Sequence, residues 1–262
     1  MRFSVLASGS TGNAIYVGTD HMSLLIDVGI TGKQAEAALE EIGVKPSELK
    51  GILVTHEHVD HIKGIGVMAR RYNIPIYANL KTWNELDGQI GTIKEEQRQT
   101  FEVGERREFE DLGVESFGIS HDAAEPMGFC FYHGKKKLSV ATDLGYVSSK
   151  IVETIQGADA YVFESNHDVE MLRMSQYPWS IKRRILSDVG HLSNEAAGEA
   201  LSDFLRGQGE RVFLAHLSKE NNMMELAKLT VKNILEEKGL SVGQDVHLRE
   251  TFPHRPTRLE EL

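Results

Sequence analysis

The sequence predicts an α/β (α+β) fold in which two sheets are covered by helices, and three observations predict it. Short apolar runs rich in branched and aromatic residues recur along the chain, each of strand length. Between and after them lie stretches whose apolar residues repeat at helical spacing. No internal repeat, low-complexity tract or Pro/Gly-rich linker divides the chain, so one domain spanning 1–262 is expected, long enough to bury a substantial core.

The elements follow in order. Phe3–Ala7, Ile15–Val17 and Leu24–Ile26 are predicted strands, and Gly9 and Gly12 predict a tight hairpin between the first two. In that turn Ser10 and Asn13 either bond locally or reach a site. Thr31 and Gln34 have capping-box spacing ahead of the stripe Ala35, Ala38, Leu39 and Ile42, which Gly43 ends. Ile52–Val54 is a strand. Ile65, Met68, Ala69 and Tyr72 form a second helical stripe closed by Pro75, and Ile76–Ala78 is again a strand. The Tyr77–Gly113 region leaves room for a small insertion, its polar Glu95–Gln99 section reading as a solvated helix face or a substrate lip. Val114–Ser120, Phe129–Tyr132, Leu138–Ala141, Tyr161–Phe163 and Val212–Ala215 complete the strands; Asn194–Leu205 and Met223–Glu237 are further helices. Gly134 with Lys135–Lys137 reads as a hairpin turn.

Composition bounds the class. An apolar fraction of 40% and a charged fraction of 26% suit a water-soluble globular protein, and no apolar run approaches membrane-spanning length. Met1–Gly9 is too short and polar for a signal peptide. Cys130 is the only cysteine, which excludes an internal disulfide and fits a reducing cytoplasm; between Phe129 and Phe131 it reads as an inert core residue. The net charge of −10 argues against a protein that coats nucleic acid non-specifically. It leaves room for an enzyme whose metal ions supply the positive field.

The chemistry concentrates after the strand Ile52–Val54. Thr55-His56-Glu57-His58-Val59-Asp60-His61 crowds imidazoles and a carboxylate at a strand end, donors suited to a borderline divalent metal. His56 and His58 project to one side if the backbone stays extended, while Asp60 and His61 turn toward a second ion. Asp27, His121, Asp143 and His216 also follow strands. Singly, each is a helix cap or a loop residue more often than a ligand. Together they can converge on one rim, and the number of ligand-type groups suffices for two ions.

Thr55–His61, followed by His121, Asp143 and His216 and preceded by Asp27, resembles the motif series of the metallo-β-lactamase superfamily over nearly the whole chain. The resemblance implies an αββα four-layer sandwich with a dinuclear site at one edge of the sheets. It implies that His56, His58 and His121 hold one ion, that Asp60, His61 and His216 hold the other, and that Asp143 bridges them. Asp27 would support the ligands from behind. Two divalent ions, zinc or manganese, would lower the pKa of a shared water and polarise the substrate. The reaction class is hydrolysis of a phosphate ester, thioester, lactone or amide.

Residues outside this set narrow the choice. Glu164–Asp168 follows a strand, Gly190–Asn194 opens a helix with Ser193 as N-cap and Glu195 in its first turn, and His216–Asn222 opens another. This order is similar to the nucleic-acid-processing branch, which implies that Glu164 orients His191 and that His191 is the general acid for a leaving ribose oxygen, with Asp60 also in the catalytic set. A histidine at a helix N-terminus is disfavoured as a cation, and a neighbouring carboxylate opposes that effect. With Ala7–Asn13 and Ala141–Gly145 added, the motifs look most like the YycJ (WalJ) family, which implies a 5′→3′ double-strand DNA exonuclease linked to DNA repair. About seventy residues between Asp143 and His216 leave no room for the inserted cap domain of β-CASP relatives, and about twenty between His121 and Asp143 leave none for a tRNA-gripping arm.

Candidate substrate contacts are Asn166, His167, Ser218, Asn221, Trp179 and Arg183. Arg70-Arg71, Arg106-Arg107, Lys135–Lys137 and Lys182–Arg184 are local basic clusters, and Tyr177–Arg184 joins aromatics to cations, so Trp179 could stack on a terminal base or anchor a helix. The expected partner is a nucleic acid, DNA foremost, with no membrane and the oligomeric state open. Two rivals stand beside this reading: a lactonase- or thioesterase-type small-molecule metallo-hydrolase, and a non-catalytic metal-stabilised interaction module.

Overall fold

A computed structural model describes residues 1–262. Strands β1 (Arg2–Ala7), β2 (Ala14–Gly18) and β3 (Ser23–Ile26) form an antiparallel meander, and β4 (Gly51–Leu53), β5 (Ile76–Ala78) and β6 (Arg98–Thr100) extend it in parallel. Their crossovers carry helices α1 (Gly32–Glu41), α2 (Val59–Ile62), α3 (Ile65–Tyr72) and α4 (Leu80–Leu86). The second sheet repeats the plan. Strands β7 (Arg106–Phe109), β8 (Leu112–Gly118), β9 (Met127–His133) and β10 (Lys136–Ala141) are antiparallel; β11 (Ala160–Glu164), β12 (Glu210–Ala215) and β13 (Val246–Glu250) continue in parallel. Helices α5 (Ser149–Ile155), α6 (Val169–Met174), α7 (Trp179–Ile185), α8 (Asn194–Phe204) and α9 (Met224–Glu237) belong to this half, and β14 (Glu260–Glu261) returns to pair with β1.

Strand alternation builds the layers. Phe3, Val5, Ile15, Val17, Leu24 and Ile26 meet Val114, Phe129, Phe131, Val140, Val162 and Phe213 between the sheets. The intervening residues face outward into helices: Tyr16, Leu25 and Ile52 pack with Ala35, Leu39, Ile65 and Met68, while Tyr161, Phe163, Val212 and Leu214 pack with Ile155, Ala197, Leu201 and Val231. With both sheet faces covered, the strands are apolar on both sides, which is why they appear in sequence as unbroken runs. The result is an αββα sandwich of two seven-stranded sheets.

Every predicted strand and helix is present, and the Thr31–Gln34 capping box closes as expected. Cys130 is buried in the outer core of the second sheet, and burial pushes its thiol up to about 11. The predicted tight hairpin at Gly9–Gly12 is instead an open loop, Ser8–Asn13, with a bulge between Val5 and Ala7 and a turn closed by the Gly12 amide on Gly9 O at 3.1 Å. The Tyr77–Gly113 stretch is no insertion. It carries α4, β6 and β7 and passes the chain from one sheet to the other. Glu95–Gln99 opens with a short 3₁₀ turn, Glu95–Gln97, that exposes Glu95 and Glu96 as the solvated-face reading expects; Gln97 is buried and donates to Ala69 O at 2.8 Å and Ile74 O at 3.1 Å, tying edge strand β6 to the end of α3. No helix is long and apolar enough to cross a membrane.

Candidate metal centre

Three site residues share one backbone device. Asp27, Asp143 and His216 each follow a strand end and each adopts a positive φ, at 56°, 61° and 57°. Left-handed backbone is uncommon for residues with a Cβ and collects at functional sites, where the surrounding structure imposes it. Here it turns each strand end sharply, so that the side chains from β3, β10 and β12 meet the loop after β4.

The loop after β4 is held from behind. Asp27 Oδ1 accepts the Thr55 amide at 2.9 Å, and Oδ2 accepts the Thr55 hydroxyl and His61 Nδ1–H, each at 2.7 Å. With its proton given to Asp27, the Thr55 oxygen accepts from His56 Nδ1–H at 2.9 Å. Both tautomers are thereby assigned, and Nε2 of each ring is left for a ligand. His121 Nδ1–H is likewise held by Gly190 O at 3.1 Å.

Two groups of free donors result. His56 Nε2 and His121 Nε2 lie 3.1 and 3.3 Å from His58 Nδ1. Asp60 Oδ2 lies 3.3 Å from His216 Nε2 and 3.6 Å from His61 Nε2. Asp143 stands between them, with Oδ2 3.3 Å from His61 Nε2 and Oδ1 3.6 Å from His121 Nε2. Within each set, His56/His58/His121, His56/His61/Asp143 and Asp60/His61/His216, the donor atoms lie within 4.8 Å of one another.

This donor set fits a divalent cation. Asp143 Oδ2 is buried without a hydrogen bond, which costs free energy unless a positive charge satisfies it. Burial lowers the pKa of His56 well below its ordinary value, and the facing His61, His121 and His58 rings add to the effect, so it is neutral as a ligand must be. Burial also opposes charging His61, but the carboxylates of Asp143, Asp60 and Asp27 outweigh it and hold its pKa up at about 9. Those carboxylates supply a field that an ion can take over from the proton.

Glu164 is the hub of the opposite side. Fully buried, it accepts His191 Nδ1–H at 2.9 Å and His216 Nδ1–H at 2.8 Å on one oxygen, and the amides of Leu144 and Leu192 at 2.7 and 3.1 Å on the other. Burial disfavours its charged form, but the His191 and His216 rings more than offset this and keep its carboxyl well below the ordinary range. The predicted Glu164–His191 pair therefore exists, and the same carboxylate also orients His216, a link that residue order alone did not disclose. Ser193 caps α8 through Ala196 N at 3.1 Å.

A pocket of about 280 Å³ opens over this cluster, lined by His58, Asp60, His121, Asp143, His191 and His216, with Ser10, Asn166 and Ser218 at its rim. Asn166 Nδ2 donates to His216 O at 2.8 Å and fixes that turn. Other expected contacts lie elsewhere. Asn221 is buried in a turn, its Nδ2 on Ser218 Oγ at 3.2 Å, and His167 is buried beside α8 with both ring nitrogens unpartnered. Trp179 and Arg183 are exposed and fall on the face of α7 opposite Ile181, Arg184 and Ile185, so neither lines the pocket. Most of the basic clusters are also spent internally. Arg71 pairs with Glu36, Arg106 and Arg107 with Glu108 and Glu105, Lys136 with Asp159 and Arg184 with Asp122, while Arg70, Lys137 and Lys182 donate to backbone carbonyls.

Sequence reasoning missed the roles of three residues. Thr55 relays Asp27 to His56; Ser8 Oγ accepts the His216 amide at 2.7 Å; Asp122 holds Arg184. Asn13, for which a local turn bond and a reach into the site were the two readings, does both: it accepts Gly9 N–H at 3.0 Å and lies 3.2 Å from His61 Nε2. Thr55 and Asp122 adjoin ligand-type histidines in the chain, the one signal that could have marked them.

A model of the β-lactamase superfamily domain matches residues 23–217. The exodeoxyribonuclease YycJ of Bacillus anthracis is 54% identical over 260 residues, covering 99% of this chain and 98% of that protein. The exodeoxyribonuclease WalJ of Streptococcus pneumoniae is 45% identical over 263 residues, covering 100% and 98%. Among solved structures, zinc-bound PqqB from Methylobacterium extorquens superposes with a TM-score of 0.73 at 17% identity, over 98% of this chain and 99% of that one, a likeness of fold.

Proposed function

Since this chain belongs to the β-lactamase superfamily and, within it, to the family of the exodeoxyribonucleases YycJ and WalJ, it is a metal-dependent nuclease, and we propose a finer reading of its site. His56, His58 and His121 hold one divalent ion; Asp60, His61 and His216 hold a second; Asp143 serves both. Zinc and manganese both suit this nitrogen and oxygen set. When bound, the ions supply Lewis acidity and a water acidic enough to act near neutral pH.

The chain's own residues do the rest. Asp27 and Thr55 lock the tautomers of His56 and His61, so the donors are set before substrate arrives. Water adds at phosphorus and gives up a proton to solvent, the bond to the leaving sugar oxygen breaks, and that oxygen takes a proton from His191, which regains one from solvent. Glu164 holds Nδ1 of His191, which leaves Nε2 for the leaving oxygen. Asp60, at the pocket wall beside His216, orients the attacking water. The reading rests above all on Glu164: one buried carboxylate fixes both the proposed acid His191 and the ligand His216, tying proton transfer to the metal cluster.

Within this reading the substrate is double-stranded DNA degraded 5′→3′ in the cytoplasm, in the service of repair. The test incubates the protein with 5′- and 3′-labelled single- and double-stranded DNA and RNA, in zinc and in manganese. A ladder shortening from the 5′ end of duplex DNA is expected. Efficient hydrolysis of lactones or thioesters with intact nucleic acid would replace it by the small-molecule hydrolase.

A further inference from the structure

The far wall of the pocket is Tyr177, Ile181, Arg184 and Ile185, and none of them takes part in the hydrolysis above. Ile181, Arg184 and Ile185 share one face of α7. This wall is fixed at several points. Lys182 is buried and donates Nζ to Arg173 O at 2.6 Å and Ser175 O at 2.8 Å, while the His191 amide donates to Ile185 O at 3.0 Å. A Cβ on Gly190 would lie 2.1 Å from Ile185 O, so glycine is what lets the proposed acid's loop press against the helix end. Asp122, next to His121, occupies the Nε–Nη2 edge of Arg184, with Nη2 on Oδ1 at 3.0 Å. The Nη1 group of Arg184 makes no hydrogen bond within the protein.

The space between this wall and the ligand cluster measures about 280 Å³, at the floor of the ~300–1,000 Å³ range of small-molecule clefts. Its enclosed part is of the order of one nucleotide, and its mouth is open to solvent. We propose that this slot takes a single unpaired nucleotide at a strand end, with Tyr177, Ile181 and Ile185 against its base and sugar and Arg184 Nη1 on a phosphate oxygen. The terminal pair of a duplex therefore opens before the scissile bond reaches the ligand cluster. An aromatic and aliphatic flank tolerates any base, and opening is easiest at a mismatched end. The inference rests on the phosphodiesterase reading and adds to it a rule for which ends are cut.

The test compares the metal-loaded protein on two labelled duplexes that differ only in whether the terminal pair is G·C or mismatched. The mismatched end should be cut about tenfold faster, the ratio that corresponds to one stacked step of ~1.4 kcal/mol. Ile181→Trp, which fills the slot, should raise KM for DNA and erase that preference while metal content and melting temperature stay at parental values. In a second arm, metal-loaded protein is added to a duplex with 2-aminopurine at its end and phosphorothioate linkages that resist cleavage, and fluorescence should rise as the base leaves the stack. Equal cleavage of both ends, or an Ile181→Trp protein that keeps the preference, overturns the slot and leaves the nuclease standing. If no nucleic acid is cut at all, the phosphodiesterase reading falls, and the fluorescence arm, which needs no turnover, still decides the slot: no rise overturns it.

Discussion

One wall of the pocket is the exposed side of a seven-residue cluster of ligand-type side chains, five of which line it while His56 and His61 lie buried behind; the other is largely one helix, α7, laid across the opening. On the first wall the atoms facing away from the donor cluster have internal partners, down to the tautomers that Asp27, Thr55, Gly190 and Glu164 impose, and only the donors themselves are left free. On the second, Ile181 and Arg184 are exposed, and Arg184 is held along one edge only, by Asp122. Buried polar groups bind each other tightly because water is not there to compete, so the first wall is rigid and intolerant of change. The second wall faces solvent, where a substitution alters shape and charge at little cost to the fold. On the proposed reading, chemistry belongs to the first wall and choice of substrate to the second.

The comparison is broken most directly at Asp143. Asp143→Ala removes the carboxylate that serves both donor groups, so metal and activity should vanish together, by elemental analysis and by cleavage of labelled DNA. Full retention of metal would refute its central position. Next in size is His191→Ala, which should lower cleavage by roughly 10²–10⁴-fold, the worth of a positioned proton donor, with metal content unchanged. A parental rate would remove the assignment. Behind the ligands, Thr55→Val deletes the relay between Asp27 and His56 and should weaken metal affinity by about 10–100-fold in a chelator competition. An unchanged affinity would show that His56 needs no such support.

Acidity sharpens the same contrast. His61 carries a proton up to about pH 9 in the metal-free protein. A ligand must be neutral, so binding an ion expels that proton. His216, assigned to the same ion, is likewise held charged against burial by Asp143, Asp60 and Glu164. Below pH 9 affinity should therefore fall by at least about tenfold per pH unit as acidity rises, and calorimetry in buffers of different ionisation enthalpy should register proton release. A pH-independent affinity would mean that His61 is not a ligand. The smallest effects belong to the outer face of α7: Trp179→Ala and Arg183→Ala should change cleavage by less than about threefold, as surface substitutions away from buried features do.

The strands were legible because burial on both faces makes each a continuous apolar run, and α1 because its capping box is local. Strands β6, β7, β13 and β14 and helices α4 to α7 were not, since Arg98–Thr100, Arg106–Phe109 and Val246–Glu250 are edge or near-edge segments of mixed polarity and the helices are short. The cation clusters misled for a related reason. Adjacency in sequence says nothing of partners, and Glu36, Glu105, Glu108 and Asp159 had already claimed them.

By itself, then, the order of residues determined which side chains could hold a metal, because His56, His58, Asp60 and His61 crowd one loop and each remaining donor directly follows an apolar strand. Only the folded chain decided which atoms of those residues are free. That depends on hydrogen bonds between groups far apart in sequence, such as Glu164 to both His191 and His216, and on the left-handed turns that aim Asp27, Asp143 and His216 inward. The dimensions of the slot under α7 were likewise settled in three dimensions, since they follow from how closely a helix can be drawn over a glycine.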